Sequence, residues 1–262
     1  MSERTSYTEG TPSWVDLGTP DLEAAKRFYG DLFGWTYEGG GEEAGHYTMA
    51  SQDGLEVAAL APQMDPSDPP RWSTYFASDD ADRTAARITE AGGRLAMDPM
   101  DVFDAGRMLI AFDPSGAPFG VWQGKAHIGA RRVNEHGALI WSELHTGDSK
   151  TADEFYTAVF GFEPEQLGDG VEFDYVTYKV GDRIIGGRNK LASDDTSGTP
   201  TGWLTYFAAA DTDRVAAGVR EGGGTVLTEP RDSEYGRMAV FTDPWGATFA
   251  VIQPPAEEEA AG

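Results

Sequence analysis

Glu143 and His145 stand two residues apart in the run Trp141-Ser-Glu-Leu-His145. On a β-strand, residues i and i+2 share a face. A carboxylate beside an imidazole on one face can form an oriented general base. The plain alternative is an ordinary, satisfied histidine. The first half of the chain offers a related pair in Trp14-Val-Asp16. Acids are depleted in strands, and a buried carboxylate is costly unless paired. Asp16 and Glu143 therefore read in two ways. They are structural, hydrogen-bonded or paired with Arg107 and Arg237, or they are desolvated acid/base groups. Strand alternation adds companions to each. Trp14, Asp16, Ser73, Tyr75, Gly120 and Trp122 are expected to share one pocket, and Trp141, Glu143, His145 and Tyr206 a second. Indoles and phenols give rigid contact area, and a carboxylate or hydroxyl fixes orientation, which suits a planar or aromatic molecule. A ligand cation also fits such a pocket. Equally, the indoles could only fill a core.

The elements that must position these residues occur twice. Phe28-Tyr29 followed by Leu32-Phe-Gly-Trp35 returns as Phe155-Tyr156 followed by Val159-Phe-Gly-Phe162, an offset of 127 residues. Trp72-Ser-Thr-Tyr-Phe76 returns as Trp203-Leu-Thr-Tyr-Phe207, offset 131, and Asp113-Pro-Ser-Gly-Ala117 as Asp243-Pro-Trp-Gly-Ala247, offset 130. Such a near-constant offset predicts two homologous domains, 10–125 and 136–254, joined by 126–135 and followed by a disordered tail, 255–262.

Each domain divides again. Ser13–Gly18 is strand-like, and a helix follows with Thr19 or Asp21 as N-cap and Gly34 as its stop. Tyr47–Ala50 and Val57–Leu60 are the next strands, and the Pro-rich stretch 62–70 is a linker. Thr74–Ala77 opens the second unit, with a helix over Asp80–Ala91 and strands at Arg94–Met97, Arg107–Phe112 and Phe119–Gln123. Four strand–helix–strands units predict an α+β protein with mixed sheets. Asp113-Pro and Asp243-Pro are turn chemistry, and Asp79-Asp80-Ala-Asp82 is helix capping. His46, His127 and His136 fall in loops or at the junction.

Composition narrows the function. There are 44 acidic against 20 basic residues in 262, a formal charge of −24. That surface repels nucleic acid and anionic lipid. With no cysteine, thiolate catalysis and Cys-based zinc sites are excluded. No apolar run is long enough to span a membrane, and the N-terminus lacks the apolar centre of a signal peptide. A cytoplasmic protein without nucleic-acid or membrane partners is expected. No nucleophile-elbow, His-Glu-x-x-His or Walker sequence is present.

Thr19–Trp35, the closing Asp113–Gln123 and their counterparts Thr146–Phe162 and Asp243–Gln253 resemble the vicinal oxygen chelate superfamily. That superfamily includes glyoxalase I, bleomycin-resistance proteins and extradiol dioxygenases. The tandem layout is similar to two-domain actinobacterial members labelled hydroxylase-like or glyoxalase-like. The resemblance implies two βαβββ units per domain, with mixed sheets curled around a cavity. It also implies a divalent metal held by His, Glu or Gln. Carried onto this chain, those ligand positions fall on Trp14, Ser73, Gly120 and Glu56 in the first domain. In the second they fall on Trp141, Leu204, Ala250 and Ile185 or Gly186. One candidate ligand in eight positions leaves no metal or other cofactor expected by the usual scheme, although a divalent metal on other ligands is conceivable.

Four functions follow in order, the last a structural or interaction module with no pocket chemistry. The first is binding of a small hydrophobic or aromatic metabolite without metal. The second is a metal-independent isomerase, lyase or cyclase using Asp16, Glu143 or His145 as acid or base. The third is a divergent metal-dependent glyoxalase or dioxygenase. Because tandem domains can satisfy the superfamily's usual pairing within one chain, a monomer or a small homodimer is expected.

Overall fold

The computed structural model describes residues 3–171, 173–192 and 200–255. The tail expected at 255–262 lies, beyond Pro255, outside them. Four β–α–β–β–β units follow one another. The first is β1 (Pro12–Thr19), α1 (Leu22–Phe33), β2 (Thr36–Gly39), β3 (Thr48–Gln52) and β4 (Leu55–Pro62). The second is β5 (Arg71–Ala77), α2 (Ala81–Glu90), β6 (Arg94–Val102), β7 (Gly106–Phe112) and β8 (Pro118–Gly124). The third is β9 (Leu139–Thr146), α3 (Ser149–Phe160), β10 (Glu163–Leu167), β11 (Tyr175–Val180) and β12 (Arg183–Lys190). The fourth is β13 (Gly202–Ala208), α4 (Thr212–Glu221), β14 (Thr225–Ser233), β15 (Gly236–Thr242) and β16 (Thr248–Gln253). No described helix is long and apolar enough to cross a membrane.

The units pair into two eight-stranded mixed sheets, ordered β2-β3-β4-β1-β5-β8-β7-β6 and β10-β11-β12-β9-β13-β16-β15-β14. In each, the opening strands of two units lie antiparallel at the centre, each with its own unit's last strand parallel beside it. An aspartate starts each of these four helices. Asp21, Asp80, Asp148 and Asp211 each accept a hydrogen bond from a backbone N–H of the first turn. That satisfies a donor the helix leaves unpaired and complements its dipole. Gly34 and Gly161 close α1 and α3 in the left-handed conformation, at φ 72° each.

The sequence suggests one core per domain, and the structure corrects this. The convex faces of the two sheets pack on each other. β5 meets β13, with Phe76 against Trp203 at 4.9 Å and Trp72 against Phe207 at 5.0 Å between ring centroids. One core joins α1 and the first unit to α4 and the fourth, through Phe28, Phe33, Val215 and Phe249. The other joins the second unit to the third, through Phe76, Phe119, Phe155 and Phe162. Polar groups tie both seams. Tyr29 donates to Asp243 Oδ2 (3.1 Å) and accepts from the Trp72 indole (3.0 Å). Tyr156 donates to Asp113 Oδ2 (3.3 Å) and accepts from the Trp203 indole (2.8 Å). The turn aspartates thus hold their own loops with Oδ1 and the opposite domain with Oδ2. With these faces packed together, the opposite, concave face of each sheet remains available to a ligand.

Candidate functional site

Strand β9 sends Trp141, Glu143 and His145 to the concave face of the second sheet. Across from them on β13, Tyr206 pairs with Trp141 and Leu204 with Glu143. On the other side Gly187 of β12 lies beside Glu143. His145 Nε2 is 2.6 Å from Glu143 Oε1. Tyr206 donates to the same oxygen at 3.2 Å, and Tyr175 of β11 donates to Oε2 at 2.7 Å. The Trp141 indole lies beside the Tyr175 hydroxyl. Gly187 makes this reach possible, because a Cβ there would stand 2.2 Å from the Tyr175 hydroxyl. Burial pushes the Glu143 carboxyl up, but the hydrogen bonds and attraction of His145, with the two tyrosines, outweigh it and hold it below its ordinary value. An ionised carboxylate only accepts, so the network assigns the His145 proton to Nε2. Nδ1 is buried without a hydrogen-bond partner among the described residues.

The first sheet repeats the network with an aspartate. Trp14 donates to the Tyr47 hydroxyl at 2.7 Å, and Tyr47 donates to Asp16 Oδ2 at 3.1 Å. The Tyr75 and Ser73 hydroxyls also stand beside Asp16 and favour its ionised form. No imidazole joins them. Burial dominates, and the Asp16 carboxyl is pushed up to about 6.

Among the described residues, the two faces differ most in what covers them. On the first, the junction folds back over the sheet. The His127 ring meets Trp14 edge-on at 4.5 Å, and Trp122 donates its indole N–H to the His127 carbonyl at 2.8 Å. Ala130 and Val133 complete the plug. Trp14 and Trp122 are only 3% and 7% exposed. The second face has Ile252 at the register position of Trp122. Its rim carries exposed aromatics. Phe173, 55% exposed, stacks on Tyr175 at 5.8 Å, and Tyr235, 57% exposed, lies within electrostatic reach of Tyr175. Trp141 is half-buried.

A family model described as glyoxalase/bleomycin resistance protein/dioxygenase superfamily matches residues 11–121 and 138–251. The chain belongs to that superfamily. Its relatives include "Putative glyoxylase CFP32" of Mycobacterium tuberculosis (strain CDC 1551 / Oshkosh), 43% identical over 98% of this chain and 100% of the relative. They also include the anthracycline biosynthesis protein DnrV of Streptomyces peucetius, 38% identical over 95% of each chain. Among solved structures, the fold is similar to the Mn(II)-bound glyoxalase from Novosphingobium aromaticivorans. That match has TM-score 0.63 and 18% identity, covering 98% of this chain and 87% of the other.

The superfamily's usual metal positions do not fit a divalent ion here. Trp14 spends its N–H on Tyr47, and a Cβ at Gly120 would stand 2.1 Å from the Tyr75 ring. Leu204 and Ala250 are buried and apolar. Glu56 has a carbonyl that accepts from the N–H groups of Arg131 and Arg132, and a carboxylate 3.9 Å from the Arg131 guanidinium. Its counterpart is Ile184 rather than 185 or 186, since Ala59 and Gly187 hold equivalent positions beside Asp16 and Glu143. A superfamily metal needs about three protein ligands. Among the described residues, no three His, Asp or Glu side chains gather for one.

Two expected contacts are corrected. Arg107 pairs with Asp82 and Asp101, and Arg237 with Asp213 and Asp232, so neither neutralises Asp16 or Glu143. Tyrosines serve those acids instead. Sequence reasoning missed Tyr47 and Tyr175, though they recur 128 residues apart and carried a detectable signal. His127 gave no such signal, because only the path of the junction brings it onto Trp14.

Proposed function

We propose that this superfamily member binds one small planar aromatic metabolite, on the concave face of its second sheet, without a divalent ion. The observation that carries the reading is the asymmetry of the faces. The first is plugged by the chain's own junction. The second keeps Trp141, Phe173 and Tyr235 accessible around the hydrogen-bonded Glu143. Flat rings give large contact area at low entropic cost, and the carboxylate beneath them orients a bound hydroxyl by accepting from it. A relative named as an anthracycline biosynthesis protein supports the ligand class, since anthracyclines are planar polycyclic aromatics.

A thermal-shift comparison tests this. Anthraquinone-2-carboxamide raises the melting temperature, because it binds only the folded state. The gain vanishes in Trp141→Ala. Metal analysis after dialysis against Ni, Zn, Mn and Fe(II) salts returns far less than one ion per chain. Stoichiometric metal, or an unchanged melting temperature with the quinone, contradicts the reading.

The 2.6 Å contact between His145 and Glu143 favours a second reading in which the bound molecule also reacts. In it the pair moves a proton during a metal-independent isomerisation, elimination or cyclisation. Turnover lost in Glu143→Gln with binding retained supports it. Turnover retained in that variant removes it.

A further inference from the structure

Arg231 lies on β14, where it pairs with Met238 of β15, which pairs in turn with Ile252 of β16. Val240, two residues beyond Met238 on β15, pairs with Ala250, and Ala250 with Tyr206. By strand alternation Arg231 therefore stands on the same concave face as Tyr206 and Glu143. Its side chain is exposed and forms no ion pair with any described residue. It still lies close enough to influence the Tyr206 hydroxyl electrostatically, and β13, which carries Tyr206, stands between β14 and β9 in the sheet. The cation and the carboxylate thus mark opposite ends of one face, with Tyr206 between them. The equivalent position in the plugged first sheet is Met100, paired with Met108. The first sheet thus has no cation at that register position.

We propose that this face selects a planar aromatic molecule carrying an anionic group, such as a carboxylate or acidic enol. The anion meets Arg231, and the rings meet Trp141, Phe173 and Tyr235 beside the Glu143–Tyr175 cluster. This deepens, and rests on, the reading of the second face as the ligand site. It also runs against the molecule as a whole, because a chain of charge −24 repels anions unless a local cation recruits them.

The test titrates two probes of equal shape, anthraquinone-2-carboxylate and anthraquinone-2-carboxamide, into wild type, Arg231→Met and Arg231→Lys. Wild type binds the acid about fivefold more tightly than the amide, as expected for an exposed charge pair. The preference falls as salt rises. Arg231→Met, which installs the residue of the first sheet at a surface position, abolishes or reverses it. Arg231→Lys keeps part of it. Equal binding of both probes by wild type, or an acid preference that survives in Arg231→Met, overturns the proposal while leaving the aromatic site standing. Failure of both probes to bind wild type overturns the proposal and the site together.

Discussion

Asp16 and Glu143 occupy equivalent positions in two sheets, and their surroundings push them in opposite directions. Asp16 has hydroxyl partners only, and burial lifts its carboxyl from 3.8 to about 6. Ionisation therefore opposes folding. Its contribution to stability is full below pH 4 and is lost as pH rises towards 6. Asp16→Asn removes that drop. Urea unfolding between pH 4 and 7 will show wild type losing stability relative to Asp16→Asn, by up to about 3 kcal/mol. A parallel pH dependence in both proteins contradicts the account. Glu143 has the reverse sign, because its carboxyl sits below its ordinary value. The stability it confers is present at neutral pH and lost as pH falls below 4.5. Glu143→Gln will cost about 1–3 kcal/mol at pH 7 and progressively less in acid. Both acids and His145 were visible in sequence because strand periodicity is local. What sets their pKa values was legible only in part: Tyr75 and Tyr206 follow from strand alternation, but Tyr47 and Tyr175 arrive from strands further along each sheet.

At the scale of elements, caps and turns were the most legible features. Asp and Gly at helix ends act through their nearest neighbours alone. Strand β2, Thr36–Gly39, went unseen because it is short, polar and mostly exposed at a sheet edge. The junction shows the opposite limit. Its residues form no regular element, yet they close the first face by packing His127, Ala130 and Val133 on it. Close packing of side chains onto small residues is equally invisible to periodicity. Gly120 admits the Tyr75 ring where any Cβ would stand 2.1 Å away. Gly120→Ala will therefore displace Tyr75 and destabilise the protein by about 1–3 kcal/mol, read by chemical denaturation. A neutral substitution there would show that the ring has other room.

For the whole molecule, the internal repeat revealed two sheets and four units but not how they share their cores. Each core takes one unit from each half, and Tyr29–Asp243 and Tyr156–Asp113 cross between halves. Residues 1–125 and 136–262 expressed separately will be insoluble or will associate, and the intact chain will unfold in one cooperative step as a monomer. Independent, monomeric folding of either half would contradict shared cores. That architecture leaves two concave faces, of which, among the described residues, one is plugged and one is not. The claim that only the open one is a ligand site is tested most directly by calorimetric titration of the intact chain with anthraquinone-2-carboxylate. The account predicts one molecule bound per chain, with the binding lost in Trp141→Ala. Two molecules per chain, none, or one that Trp141→Ala leaves untouched would contradict it.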